Sequence, residues 1–153
     1  TTSTSTSSLS SSSSCAPLSV SARERAARLS ALLEVLGALP AQYDRLRQSS
    51  TRRQLTQERL AHGSQSMLAL AQAVVWERTA SEQLRRCGLL CVQQWLRHME
   101  MPAAVLQAAL PFLLSLFELL SCDELFEETV DCLVELFAYS ADPAACAVFV
   151  PHV

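Results

Sequence analysis

The sequence contains no lysine: all 12 of its basic residues are arginine. Glycine is almost as scarce, with 3 in 153 residues. Phosphate-binding loops need glycines so that backbone amides can approach the ligand, and this scarcity argues against that class of enzyme. The want of a lysine-rich arm argues against direct nucleic-acid binding. Histidine stands only at 62, 98 and 152, on predicted helices or at the ragged end, so no nucleophile has a base and an orienting group beside it. No enzyme is expected, and no cofactor. A secretory leader would show a basic region followed by an apolar run. Residues 1–14 instead hold 13 Ser or Thr and one leucine, Leu9. Such a tract has too little apolar surface to offset its ordering entropy, and 1–20 is expected to be disordered.

What is present is apolar. Half the residues are hydrophobic, 18% are charged, and the net charge is −3. The length suits one domain, which at this size buries roughly 70% of its unfolded surface. The small net charge hides an imbalance: residues 1–97 hold 12 Arg against 6 acids, whereas 98–153 hold 9 acids and no base. Opposed blocks of this kind bear on partners rather than on fold. Cysteines at 15, 87, 91, 122, 132 and 146 fall mostly within apolar helical patterns, as expected of reduced thiols in a cytosolic or nuclear setting. The chain opens on Thr1 and stops within an apolar stretch, and a longer polypeptide is expected.

Five helices are predicted over 21–153, and no strand. The first spans Ser21 to Leu36, burying Leu29, Leu32, Leu33 and Leu36, with Gly37 and Pro40 ending it. The second runs from Ser50 or Thr51 towards Trp76 over Leu60, Met67, Leu70, Ala71 and Val74, with Gly63 a candidate break. The third opens on a capping box, Thr79-Ala80-Ser81-Glu82, and carries Leu84, Gly88, Cys91 and Trp95 on one face. Pro102 to Leu120 is read as a short helical turn to Leu110 and a new helix starting at Pro111. The fifth, Cys122 to Tyr139, has a second capping box at Ser121-Cys122-Asp123-Glu124. Its apolar stripe is Leu125, Thr129, Cys132, Leu133, Leu136 and Phe137, opposite an acidic one of Glu124, Glu127, Glu128, Asp131 and Glu135. Ala144 to Val150 reads as the start of another helix.

Leu84–Leu96 and Leu125–Phe137 superpose at an offset of 41, Cys91 falling on Cys132 and Trp95 on Leu136. Two helices per period of about 40 to 47 residues is the pattern of HEAT and armadillo repeats. The expected fold is all-α, with antiparallel helix pairs stacked as a fragment of a HEAT-repeat α-solenoid, incomplete at both ends. Met101–Leu120 is nearly long enough to span a membrane. Two prolines, Glu118 and the lack of flanking positive charge after Arg97 favour a helix buried between repeats, and no membrane partner is expected. Cys87, Cys91 and His98 spread over three turns of one helix face and cannot meet a single ion, so no metal is expected. Arg45, Arg47, Arg52 and Arg53 cluster near the first link, as a solvated surface or as a contact for an acidic or phosphate group.

Several motifs occur in an order that resembles a known family. Leu32-Leu33-Glu34-Val35-Leu36 is followed by Leu39-Pro40-Ala41-Gln42-Tyr43, then by Arg52-Arg53. Next come Cys91-Val92-Gln93-Gln94-Trp95, Leu116-Phe117-Glu118-Leu119-Leu120 and the acidic run Glu127 to Leu133. Over residues 21–149 the sequence is similar to nuclear transport receptors of the importin-β superfamily, most of all to the importin-thirteen and transportin-three branch. Ala41-Gln42 replaces the acidic pair that the family has after Leu-Pro, and the Ser/Thr tract has no counterpart there.

The resemblance implies a superhelix of HEAT repeats that shuttles between nucleus and cytoplasm. It implies protein cargo and Ran-GTP as partners, with nucleoporins a further class. It places the first, third and fifth helices on the inner wall, where Arg85, Arg86, Arg97, Glu127, Glu128, Asp131 and Glu135 would face cargo or Ran. A charged wall of that kind selects partners by complementarity. Solvated outer charge is the alternative at each of these residues. For the chain as a whole, a generic HEAT scaffold subunit of a multiprotein complex is the alternative function, and a membrane-associated helical protein built around 101–120 is a third.

Overall fold

Stripes of apolar residues at helical spacing have one way to leave water, which is helix against helix. The computed structural model of the protein describes residues 20–46 and 49–140. Its helices are α1 (Val20–Arg45), α2 (Ser50–Trp76), α3 (Glu82–His98), α4 (Ala103–Ser115) and α5 (Phe126–Ser140). Two 3-10 segments, Leu116–Ser121 and Asp123–Leu125, join α4 to α5. No strand occurs among the described residues. The Ser/Thr tract, the helix expected from Ala144, Arg47, Cys15, Cys146 and His152 lie outside the described residues.

Helix α3 is the centre of the packing. It lies against α1 on one side and α5 on the other, while α2 closes over it and α4 packs on α2. The result is an all-α helical repeat fragment in two layers, with α1, α3 and α5 in one and α2 and α4 in the other. Because α3 has neighbours on several sides, it buries Leu84, Cys87, Gly88, Leu89, Cys91, Val92, Gln93, Trp95 and Leu96, which is much more than one stripe. The residues matched by the 41-residue offset, Leu84 with Leu125, Cys91 with Cys132 and Trp95 with Leu136, are all buried.

The helix breaks expected at Gly37, Pro40, Gly63 and Pro111 do not form. Helix α1 continues through Pro40 to Arg45. A proline inside a helix removes the amide that would bond to the carbonyl four residues earlier, here that of Leu36. The Trp95 indole N–H donates to this same Leu36 carbonyl at 2.8 Å. A side chain from α3 thus replaces the missing donor, and the helix runs on. Gly63 sits under the Trp95 ring, where a Cβ would lie 3.9 Å from Cη2, and α2 passes through it unbroken. Pro111 is exposed on the outer side of α4, which continues to Ser115 before tightening into the 3-10 turn.

Both capping boxes are also rearranged. The cap of α3 is Ser81, whose hydroxyl accepts from the Leu84 amide at 3.3 Å. Thr79 turns away, donating its amide and hydroxyl to the Glu77 carboxylate at 3.1 and 2.8 Å. Ser121 donates to the Glu118 carbonyl instead of capping α5. Two stripe residues face outward, Leu32 at 46% and Phe137 at 60% exposure. The expected full burial of the 101–120 segment is likewise corrected. Ala103–Ser121 has a mean hydropathy of 1.9 and is long and apolar enough to cross a membrane, with 33% of that window buried. Leu106, Leu110, Phe112, Leu113, Leu116 and Leu119 are buried, while Leu114 and Phe117 are exposed.

Candidate functional site

Acidic residues at the start of α5 and arginines on α3 are placed beside one another because α3 and α5 pack along their length. The seam between them carries arginine–carboxylate pairs. Arg86 bridges it: Nη2 lies 2.8 Å from Glu82 Oε1 on its own helix, and Nε lies 3.3 Å from Glu128 Oε1 across the seam. The same guanidinium donates to the Glu124 carbonyl from Nε at 3.2 Å and from Nη2 at 2.8 Å. Further along, Arg97 Nε lies 3.7 Å from Glu135 Oε1. Half-exposed pairs of this kind contribute ~0–1 kcal/mol each. Their larger effect is to fix the register of α5 on α3.

Of the seven charged residues singled out in the sequence, the structure brings Arg86, Arg97, Glu128 and Glu135 together as cross-seam pairs. Glu127 and Asp131 are exposed beside them. Arg85 is not part of the seam. Its Nε donates to the Val75 carbonyl at 2.8 Å, closing the last turn of α2. Sequence spacing could not separate Arg85 from Arg86, because adjacent helix positions point about 100° apart and only the neighbours decide which points where.

Two depressions open along the seam. One of about 310 Å³ is lined by Arg86, Asp123, Glu124, Phe126, Glu127 and Glu128. The other, of about 400 Å³, is bordered by Arg97, His98, Glu100, Glu135 and Tyr139. Tyr139, which the sequence reading passed over for this role, fixes the second one. Its hydroxyl accepts from the Met101 amide at 2.8 Å and donates to the Met101 carbonyl at 3.2 Å. A different aromatic, Tyr43, holds the first hairpin: its hydroxyl donates to the Arg53 carbonyl at 2.8 Å, and the Arg53 guanidinium lies 5.7 Å from the ring centre. One member of the basic cluster is therefore engaged within the fold.

The thiols are buried rather than poised for chemistry. Burial pushes Cys91 and Cys132 up to about 12, and the Cys132 thiol donates to the Leu89 carbonyl at 3.0 Å. A thiolate is the nucleophile and the metal ligand, so neither residue is reactive near neutrality. Alkylation of the folded chain at pH 8 should label Cys122, which is partly exposed, and spare Cys91 and Cys132; labelling of all three at equal rates would contradict their burial. With folded values above the ordinary thiol value of 9.0, the two thiols' contribution to stability is complete below pH 9 and is lost as the pH rises towards 12. Among the described residues, no group of three or more His, Cys, Asp or Glu side chains is placed to hold a metal.

The described helices form a helical-repeat stack with a row of paired charges along one seam. The family model described as exportin 1-like protein matches residues 7–133. The chain belongs to the exportin 1-like family, and with it to the importin-β/exportin superfamily of nuclear transport receptors. Members of that superfamily are transport receptors, not enzymes, and shuttle between nucleus and cytoplasm. No curated protein is similar enough to the chain to count as a match.

Proposed function

We propose that this chain is part of a nuclear transport receptor of the importin-thirteen and transportin-three branch, and that the α3–α5 seam contacts protein cargo or Ran-GTP. The observation that carries this reading is the exposed acidic edge of Glu127 and Asp131 beside the fixed pairs of Arg86 and Arg97. The carboxylates that are already paired hold the two helices in register, and the exposed ones remain for a basic partner surface. Support for the branch comes from the ordered motifs between Leu32 and Leu133. Direction of transport would follow from linkage, since a ligand that favours one receptor shape changes cargo affinity reciprocally.

The test is a double charge reversal, Glu127→Lys with Asp131→Lys, made in the full-length receptor. Binding to cargo and to Ran loaded with non-hydrolysable GTP is then measured. Like charges placed across an interface cost several kcal/mol, so at least one of the two affinities should fall by roughly tenfold or more. Unchanged affinity for both would remove the site. Failure of the wild-type receptor to bind Ran-GTP at all would favour the generic scaffold.

A further inference from the structure

Helix α3 is enclosed on three sides. Towards α1, the Cys87 thiol lies 3.2 Å from the Ser30 hydroxyl, and a Cβ on Gly37 would sit 3.3 Å from the Cys91 backbone. Towards α2, a Cβ on Gly88 would meet the Val75 side chain at 3.0 Å. Towards α5, the Leu89 carbonyl accepts from the Cys132 thiol and Arg86 reaches Glu128. Successive helix positions turn by about 100°, so Leu90 takes the side that is left. It is 44% exposed, the one large apolar side chain of α3 in water. Because α1 and α5 already occupy both flanks of α3, further repeats added at either end of the stack leave Leu90 open. Carboxylates stand on both sides of it. On α1, Glu34 is exposed and accepts from the Cys87 thiol at 3.9 Å. On α5, Asp131 is exposed, and the 41-residue offset that pairs Cys91 with Cys132 pairs Leu90 with Asp131. Along α3 itself Leu90 has Arg86 before it and Arg97 after it, and each of these is paired with a glutamate of α5.

We propose that Leu90 is the apolar anchor of the α3–α5 seam and receives a partner segment that carries an apolar side chain between basic ones. The inference rests on the seam being the binding surface, and it adds the chemistry of the segment that binds there. Protein interfaces have an apolar centre within a polar rim. Here Leu90 is the centre, and the rim is made by the two arginine–glutamate pairs together with Glu34 and Asp131. Each arginine is offset by the glutamate it holds, so Glu34 and Asp131 set the sign of the surface. A basic segment is drawn to it and an acidic one is repelled. The two contributions differ in kind. Attraction between exposed charges is screened by salt, whereas burial of Leu90 against an apolar side chain is not.

Three receptors test it, each made in the full-length protein: Leu90→Gln, Leu90→Met, and Glu127→Lys with Asp131→Lys. Affinities for Ran loaded with non-hydrolysable GTP and for a cargo protein are measured at low and at high salt. Glutamine and methionine are close to leucine in helix propensity, and an unchanged urea midpoint confirms that the fold is kept. Leu90→Gln should weaken the partner that responds to the charge reversal by roughly tenfold or more, and by the same factor at both salt concentrations. Leu90→Met should bind as the wild type does. The effect of the charge reversal should shrink at high salt. If the charge reversal weakens binding and Leu90→Gln does not, the seam stands and the anchor falls. If Leu90→Gln weakens binding and the charge reversal does not, the basic partner is overturned. No effect of either removes the seam and the anchor together. A Leu90→Met receptor as weak as Leu90→Gln also overturns the proposal, since it marks a role in the fold rather than in contact.

Discussion

Trp95→Phe is expected to lower the unfolding free energy by about 1–3 kcal/mol, although the ring remains, because it leaves the part-buried Leu36 carbonyl without a donor. Trp95→Ala should cost about 3–5 kcal/mol, since it also empties the space between α1 and Gly63 of α2. The informative measurement is a double-mutant cycle with Pro40→Ala, read by urea unfolding. Alanine at 40 brings back the amide that proline lacks, so the Leu36 carbonyl can bond within α1 again. In that background Trp95→Phe should cost about 1 kcal/mol less than in the wild type. An equal cost in both backgrounds would show that the indole does not substitute for the missing helix donor.

The second large effect is expected at Gly37, where α1 and α3 come closest. A Cβ there would sit 3.3 Å from the Cα, 3.7 Å from the Cβ and 3.9 Å from the N of Cys91. The nearest obstacle is backbone, which cannot rotate aside as a side chain can. Gly37→Ala combines two opposed terms: about 1 kcal/mol gained in helix propensity and a comparable loss from a contact tight by a few tenths of an ångström. Its net effect should be near zero. Gly37→Leu has no such balance and forces the helices apart one residue away from the Leu36–Trp95 bond, costing about 1–3 kcal/mol or more. Thermal melts should place the leucine variant lower by roughly 2–4 °C per kcal/mol. Equal melting temperatures for the alanine and leucine variants would mean that the α1–α3 contact is looser than its geometry indicates.

Periodicity was legible wherever one helix face decides burial. Leu84, Gly88, Cys91 and Trp95, and then Leu125, Thr129, Cys132 and Leu136, are inside as their spacing requires. The punctuation residues were not legible, because each depends on a partner distant in the chain. Pro40 ends no helix once Trp95 reaches its orphaned carbonyl, 59 positions away in sequence. Gly63 makes room for that same tryptophan and breaks nothing. The capping boxes failed for a local reason: each hydroxyl had a rival nearby, the Glu77 carboxylate for Thr79 and the Glu118 carbonyl for Ser121. At the charged seam the residue types were readable, but their division of labour was not. Arg85 serves the end of α2 and Arg86 the start of α5, which only the packed arrangement of three helices reveals.

The slight contact between α1 and α2 has a consequence for synthesis of the protein. These two helices leave the ribosome before α3 does, yet their apolar faces are completed by α3 rather than by each other. The nascent chain therefore carries two unfinished amphipathic helices until Trp95 emerges. During that interval it is a natural client for a chaperone that shields exposed leucines, and a pause in translation between Trp76 and Trp95 would lengthen the exposure.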